Sequence, residues 1–270
     1  MKFAICNEIF QGWEIGDAMR FAADAGYHGI ELAPFTLART VTEISAPQRG
    51  RIRESAERAG LEICGLHWLL AKTEGFHLTH SDPAVRERTA QYLCELANCC
   101  ADLGGKVLVL GSPQQRNVAA DVSMEQARAW AAETLAPGLK TAEDRHVLWC
   151  IEPLAPGETN FLNTAAEAIE FARQLNSPAA RIILDVKAMA AERTPITDVI
   201  RASWPHFAHF HANDPNRKGP GFGAMDFRPI VGALKSVGYD GFVSVEVFNF
   251  EEGAATIATQ SLLCLRAAFA

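Results

Sequence analysis

Four ionisable residues in the second half of the chain each close a short apolar run. They are Glu152 after Val147-Leu-Trp-Cys-Ile, Asp185 after Arg181-Ile-Ile-Leu, His211 after His209-Phe, and Glu246 after Phe242-Val-Ser-Val. Gaps of 33, 26 and 35 residues separate them, close to the ~30 residues taken by one strand, its helix and the connecting loops. That spacing puts the four side chains at matching ends of neighbouring parallel strands. A lone acid at a strand end is ordinarily a turn former, but three carboxylates and an imidazole recurring at the same place in successive units point to a shared metal site. Such an oxygen-rich set suits Mn2+ or Mg2+, with Co2+ plausible and Zn2+ also compatible. It contains no thiolate, which argues against structural zinc.

The chemistry that needs this site is proton abstraction next to a carbonyl. A divalent ion chelated by a substrate carbonyl and its neighbouring hydroxyl would acidify the C–H between them and hold the resulting enediolate. One carboxylate would remove the proton and another return it. Glu152 and Glu246, on the flanks of the set, are the expected acid/base pair, with Asp185 and His211 mainly ligands.

The elements that must position these residues alternate along the whole chain. Strand-like segments are read at 3–10, 29–34, 61–70, 106–110, 147–154, 181–186, 206–212 and 242–248. Helices are read at 15–25, 47–59, from Ser81-Asp-Pro to Ala101-Asp-Leu-Gly104, and at 124–139, 164–175, 196–203, 227–237 and 252–269. Periodicity and Gly, Ser and Pro punctuation support these limits. Eight strand-helix pairs with no low-complexity linker predict an α/β fold, a closed (β/α)8 barrel in which residues 1–270 form one domain; an open doubly wound sheet is the competing architecture. In a barrel, catalytic groups project from the C-terminal strand ends. The two-residue strand period then puts Cys150, Ile183, His209 and Ser244 in the layer beneath the site, His209 being read as a hydrogen-bonded core residue rather than a ligand.

Composition narrows the partners. Acidic residues outnumber basic ones by 32 to 25, a formal charge of −7, and no Lys/Arg run exceeds two, so nucleic acid is disfavoured. No stretch approaches a membrane span, and the N-terminus lacks a signal-like apolar core. Seven cysteines without a Cys-x-x-Cys pair suit a reducing compartment. A soluble cytoplasmic protein with a small-molecule substrate is expected.

Taken together, Gly29-Ile-Glu31-Leu, Ile151-Glu152-Pro-Leu, Glu158-Thr-Asn-Phe-Leu-Asn163, Leu184-Asp185, His209-Phe-His211-Ala-Asn-Asp214, Gly219-Pro-Gly-Phe-Gly223 and Val245-Glu246 carry a resemblance. The chain resembles the xylose-isomerase-like barrel superfamily, specifically the sugar isomerases and epimerases related to ketose 3-epimerases and hydroxypyruvate isomerases. The resemblance implies that Glu152 and Glu246 are ligands and acid/base residues, that Asp185 and His211 complete the metal shell, and that Glu158 and Arg217 contact the substrate, a small sugar, keto-sugar, sugar acid or keto acid. It leaves oligomeric state open, although exposed barrel helices in the family often pair into homo-oligomers. Ketose epimerases of this type carry a histidine three residues after the strand-six aspartate, where this chain has Ala188. Lys187 could supply a different polar handle if it turns inward, the alternative being a solvated lysine. His67 and Trp68 are candidate pocket walls, Glu31 a candidate for hydrogen bonding in the barrel mouth, and Phe248 and Phe250 candidates for closing it. An isomerase or epimerase is the leading expectation. A dehydratase sharing the first proton abstraction is the alternative, and a metal-dependent DNA-repair endonuclease a weaker one.

Overall fold

A computed structural model describes residues 1–270. Eight parallel strands close into a barrel in sequential order: β1 (Lys2–Cys6), β2 (Gly29–Leu32), β3 (Glu62–Leu66), β4 (Val107–Leu110), β5 (Leu148–Ile151), β6 (Ala180–Asp185), β7 (Phe207–Ala212) and β8 (Phe242–Val245). Around them lie α1 (Ile15–Ala25), α2 (Ala46–Ala59), α3 (Pro83–Asp102), α4 (Met124–Arg145), α5 (Ala165–Gln174), α6 (Val186–Ala190), α7 (Ile196–Ser203), α8 (Phe227–Ser236) and α9 (Ala254–Phe269). The expectation of closure over an open sheet holds, because β1 pairs with β8 through Lys2 to Ile5. Tyr27 Oη donates to the Ala258 carbonyl at 2.7 Å and the Arg266 guanidinium to that of Gly26 at 2.9 Å, fastening α9 beside α1. No helix is long and apolar enough to cross a membrane, and all seven cysteines are unpaired.

Element boundaries needed correction in three ways. Most strands stop before the apolar residues assigned to their ends: Leu69, Leu70, Leu154 and Val247 are buried but lie in the loops above the sheet. Helix α4 runs past Leu139 to Arg145, even with Pro137 inside it, because Leu139 and Ala142 continue its buried stripe. A short helix, α6, follows β6 without a loop, where none was anticipated. Its first turn is capped by Asp185, whose Oδ1 accepts from the Ala188 amide at 2.7 Å.

Helices and sheet enclose a large apolar layer, while the barrel interior is only partly apolar. Val107, Val109, Cys150 and Ile183 form a separate small cluster there. Beside it, His209 donates from Nε2 to Glu31 Oε2 at 2.8 Å and Ser244 lies 3.6 Å from the Cys6 sulfur. The layer anticipated beneath the site is thus in place, with all four of its members buried. The β2/β3 register shifts between Ile30 and Glu31; such an irregularity re-aims a side chain, and here the fully buried Glu31 meets the two histidines of β7.

Candidate metal centre and active site

Glu152, Asp185, His211 and Glu246 converge at the C-terminal end of the barrel. One potential ligand atom from each lies within 4.8 Å of all the others, and all four residues are buried. Their orientation follows from neighbours rather than from chance rotamers. Asn213 donates to Asp185 Oδ2 at 2.5 Å while Asp185 Oδ1 caps α6. Trp68 Nε1 donates to Glu246 Oε1 at 2.8 Å. The Glu152 carboxylate occupies the space that a Cβ on residue 111 would fill, 2.1 Å from its Oε2, so Gly111 is required for it to fit.

His211 gives the sharpest test of whether a cation belongs here. Its Nε2 is 3.2 Å from both Glu31 oxygens, so that nitrogen carries a hydrogen; burial disfavours the ring's charge, but Glu31 and Glu246 outweigh it and raise His211 well above its ordinary range. Nδ1 faces Glu246 Oε2 at 3.1 Å. With the ring charged, Nδ1 donates a proton to that oxygen; a divalent ion bound there would take the place of the proton between the same two atoms. A carboxylate on the far side of a ligating imidazole is the usual means of fixing its tautomer and orientation, and three carboxylates with one imidazole are a donor set for a hard divalent ion. The residues fit the group.

The electrostatics agree. Burial, then the neighbouring Glu246 and Asp185, push the Glu152 carboxyl up to about 8. Burial and Glu246 also raise Asp185. Burial would raise Glu246 as well, but His211 and the Trp68 indole reverse it and hold that carboxyl below its ordinary range. Glu31, despite full burial, is held well below its ordinary range by His209 and His211. Three buried acids crowded together, two of them raised by burial and by one another, give the site the negative potential that a cation would neutralise.

The pattern matching the xylose isomerase-like TIM barrel family covers residues 19–268. The chain belongs to that family. Among xylose isomerase-like relatives, D-psicose 3-epimerase of Agrobacterium fabrum is 29% identical over 242 residues, covering 87% of this chain and 80% of that protein. A 3-dehydro-D-guloside 4-epimerase of Escherichia coli is 22% identical, covering 98% and 99% respectively. A crystal structure of D-psicose 3-epimerase in the presence of D-fructose superposes with a TM-score of 0.86 at 23% identity, covering 99% of this chain and 98% of that one, which shows the shared fold.

In this xylose isomerase-like barrel two of the four residues open onto a pocket of about 390 Å³, while Asp185 and His211 lie outside its lining. Glu152 and Glu246 line it, together with Glu158, Arg217, Trp68 and Phe248. Lys187 turns inward: Nζ sits 2.8 and 2.7 Å from the two Glu158 oxygens and 4.8 Å from the centre of the Phe248 ring, and its side chain is only 10% exposed. Burial disfavours its charge, but Asp185 and Glu158 outweigh this and raise its pKa. Ala188 is buried on the first turn of α6. Arg217 is exposed, with left-handed backbone (φ 71°) and its guanidinium 5.6 Å from the Phe248 ring. The glycine-rich loop beyond it wraps Asp214, and Gly223 lies where any Cβ would strike that carboxylate. His67 lines the pocket beside Trp68, as expected, and is held there at full burial by its Nε2 contact with Glu8 Oε2 at 2.8 Å.

Three residues escaped the sequence reading. Arg116 is 1% exposed, donates to the Leu110 and Leu162 carbonyls at 3.3 and 3.4 Å, and faces Glu152 and Glu158. Burial pulls it down to about 10, against the pull of those two acids. A lone arginine after Gly111-Ser-Pro113 was its only signal. Asn213 and Glu8 carry no pattern of their own, each acting through the residue it orients.

Glu31→Gln is expected to weaken divalent-ion affinity by about 10- to 100-fold, the usual cost of losing the partner of a ligating histidine. Titration of the folded variant with Mn2+ checks this; unchanged affinity would remove Glu31 from the metal centre.

Proposed function

We propose that the chain is a divalent-metal-dependent epimerase of a small keto-sugar, its 270 residues acting as one barrel unit. The observation that carries this reading is the convergence of Glu152, Asp185, His211 and Glu246 within 4.8 Å beneath a sugar-sized pocket, in a barrel whose relatives include ketose 3-epimerases. A divalent ion, held by those four residues, supplies Lewis-acid chemistry that acidifies a carbon next to a carbonyl. The donor set favours Mn2+ or Mg2+ over Co2+ and Zn2+.

The chain's own groups account for the rest. Glu152 and Glu246 reach the pocket from β5 and β8, and each is placed to take or return a proton on its own face of the substrate. Epimerisation is reversible, so the base of one direction is the acid of the other. Glu158, Lys187 and Arg217 offer an acceptor and two cations to the substrate's oxygens. Trp68 and Phe248, with ring centroids 6.0 Å apart, limit water at the reacting carbon.

The reading is tested by incubating metal-loaded protein with a panel of ketoses and keto acids in deuterated water. Deuterium in a recovered sugar and a product of unchanged mass are expected. Loss of water would point to the dehydratase, and no incorporation with any substrate would overturn the reading. Lys187→Met should raise KM about 10- to 100-fold, in line with losing a charged hydrogen bond. Steady-state rates on the sugar identified in the panel check this; an unchanged KM would leave Lys187 a partner of Glu158 alone.

A further inference from the structure

The pocket above the four ligands has a much larger neighbour. A cleft of about 1100 Å³ runs from it across the loops after β1 and β2, and Trp68, Lys72, Arg217 and Phe248 line both spaces. The inner pocket lies near the lower limit for a small-molecule site, and one sugar ring fills it. The cleft extends well beyond the reach of that ring.

Its walls have a definite chemistry. Phe35, Trp68 and Phe248 form a continuous aromatic strip, with successive centroids 6.3 and 6.0 Å apart. Farther out, Trp13 packs on Phe10 and Phe21 at 5.5 and 5.4 Å and remains 41% exposed. Gln11, Glu14, Gln48 and Arg51 stand exposed along the same cleft. Acids (Glu14, Glu43) and bases (Arg51, Lys72, Arg217) both line it, so the cleft carries no single sign of charge to favour a polyanion and too many polar groups for a lipid tail. Aromatic surface interleaved with amide, carboxylate and guanidinium groups matches a molecule with C–H faces and many hydroxyls.

We propose that the substrate is a two-ring keto-sugar: the reacting ring lies over Glu152 and Glu246, and a second, glycosidically linked sugar lies in the cleft against Trp13 and Phe35. This rests on the epimerase reading of the inner pocket. The reacting ring must keep its carbonyl and the adjacent hydroxyl free, so the glycosidic bond leaves from a carbon outside that pair.

The test compares the metal-loaded enzyme with its Trp13→Ala variant in deuterium exchange. The probes are monosaccharide ketoses, ketodisaccharides linked through a distal hydroxyl of the ketose, and ring-ketone derivatives of disaccharides. At least tenfold higher kcat/KM for a two-ring probe is expected in the wild type. Trp13→Ala should lower that value about tenfold and leave monosaccharide exchange unchanged. Exchange confined to monosaccharides, or a Trp13→Ala variant equal to wild type on two-ring probes, would overturn the proposal and leave the epimerase reading standing. Exchange with no sugar at all would overturn the epimerase reading. Binding of the reduced two-ring alcohols, which cannot react, reads the cleft independently: saturable binding that Trp13→Ala weakens supports occupancy by a sugar, and its absence refutes it. A change in assembly mass in Trp13→Ala with unaltered sugar binding would make the cleft a contact between copies of the chain, also overturning the proposal.

Discussion

Glutamine in place of Glu152 is expected to lower kcat by about two to four orders of magnitude, the range for removing a positioned acid or base. The substitution keeps the side chain's volume, so it still fits the space left open by Gly111. It removes both a proton carrier and one negative charge of the ligand set. Deuterium wash-in separates these effects from product release, and elemental analysis reports whether the ion is retained. A variant that binds the ion and keeps more than about a tenth of wild-type exchange would remove Glu152 from proton transfer. Glu246, approaching from β8, is expected to behave alike in the reverse direction.

Removing the ion should abolish turnover and lower the melting temperature by about 5 to 10 °C. A ligand present at 100 times its dissociation constant contributes about 2.7 kcal/mol, and a chain of this size shifts by about 2 to 4 °C per kcal/mol. The effect should depend on pH. Without the ion, burial and the neighbouring Glu246 and Asp185 push the Glu152 carboxyl up to about 8 from 4.5, so the folded state holds a proton that the unfolded chain releases. That contribution is complete below about 4.5 and is lost as pH rises through 8. The raised carboxyl of Asp185 acts in the same direction. The chelated protein should therefore melt at lower temperature as pH rises from 5 to 8, while the gain on adding Mn2+ grows, because binding no longer has to displace a proton. Calorimetric scans with and without chelator decide this; coincident melting curves would exclude a resident ion.

The four converging residues were legible in the sequence because each ends an apolar run at the interval of one strand and one helix, and closure of the barrel gives that interval its spatial meaning. Helices α1 and α7 matched their anticipated limits since local chemistry sets them: Gly26 takes the left-handed conformation after α1, and Pro195 precedes α7. Strand ends were less legible. Leu69, Leu154 and Val247 are as apolar as sheet residues but pack in the loops over the barrel, and hydrophobicity alone cannot separate the two positions. Helix α6 stayed hidden because its capping residue was already assigned as a ligand and its five residues are too short to show a period. Arg116, Asn213 and Glu8 were missed for another reason. What they do depends on partners far away in the chain, and no local spacing encodes such a partnership.

Because Asp185 is at once a member of the candidate cation site and the cap of α6, the beginning of that helix is anchored to the four converging residues. Residues 187 and 188 are adjacent on its first turn and project about 100° apart around the axis. In the proposed epimerase, moving the polar group from one to the other would redirect the grip on the sugar and leave the four candidate ligands in place. Under the proposed reading, the alanine at 188 and the inward lysine at 187 would amount to a change of tool on a fixed handle, two neighbouring substitutions that give one barrel a different hold on its substrate.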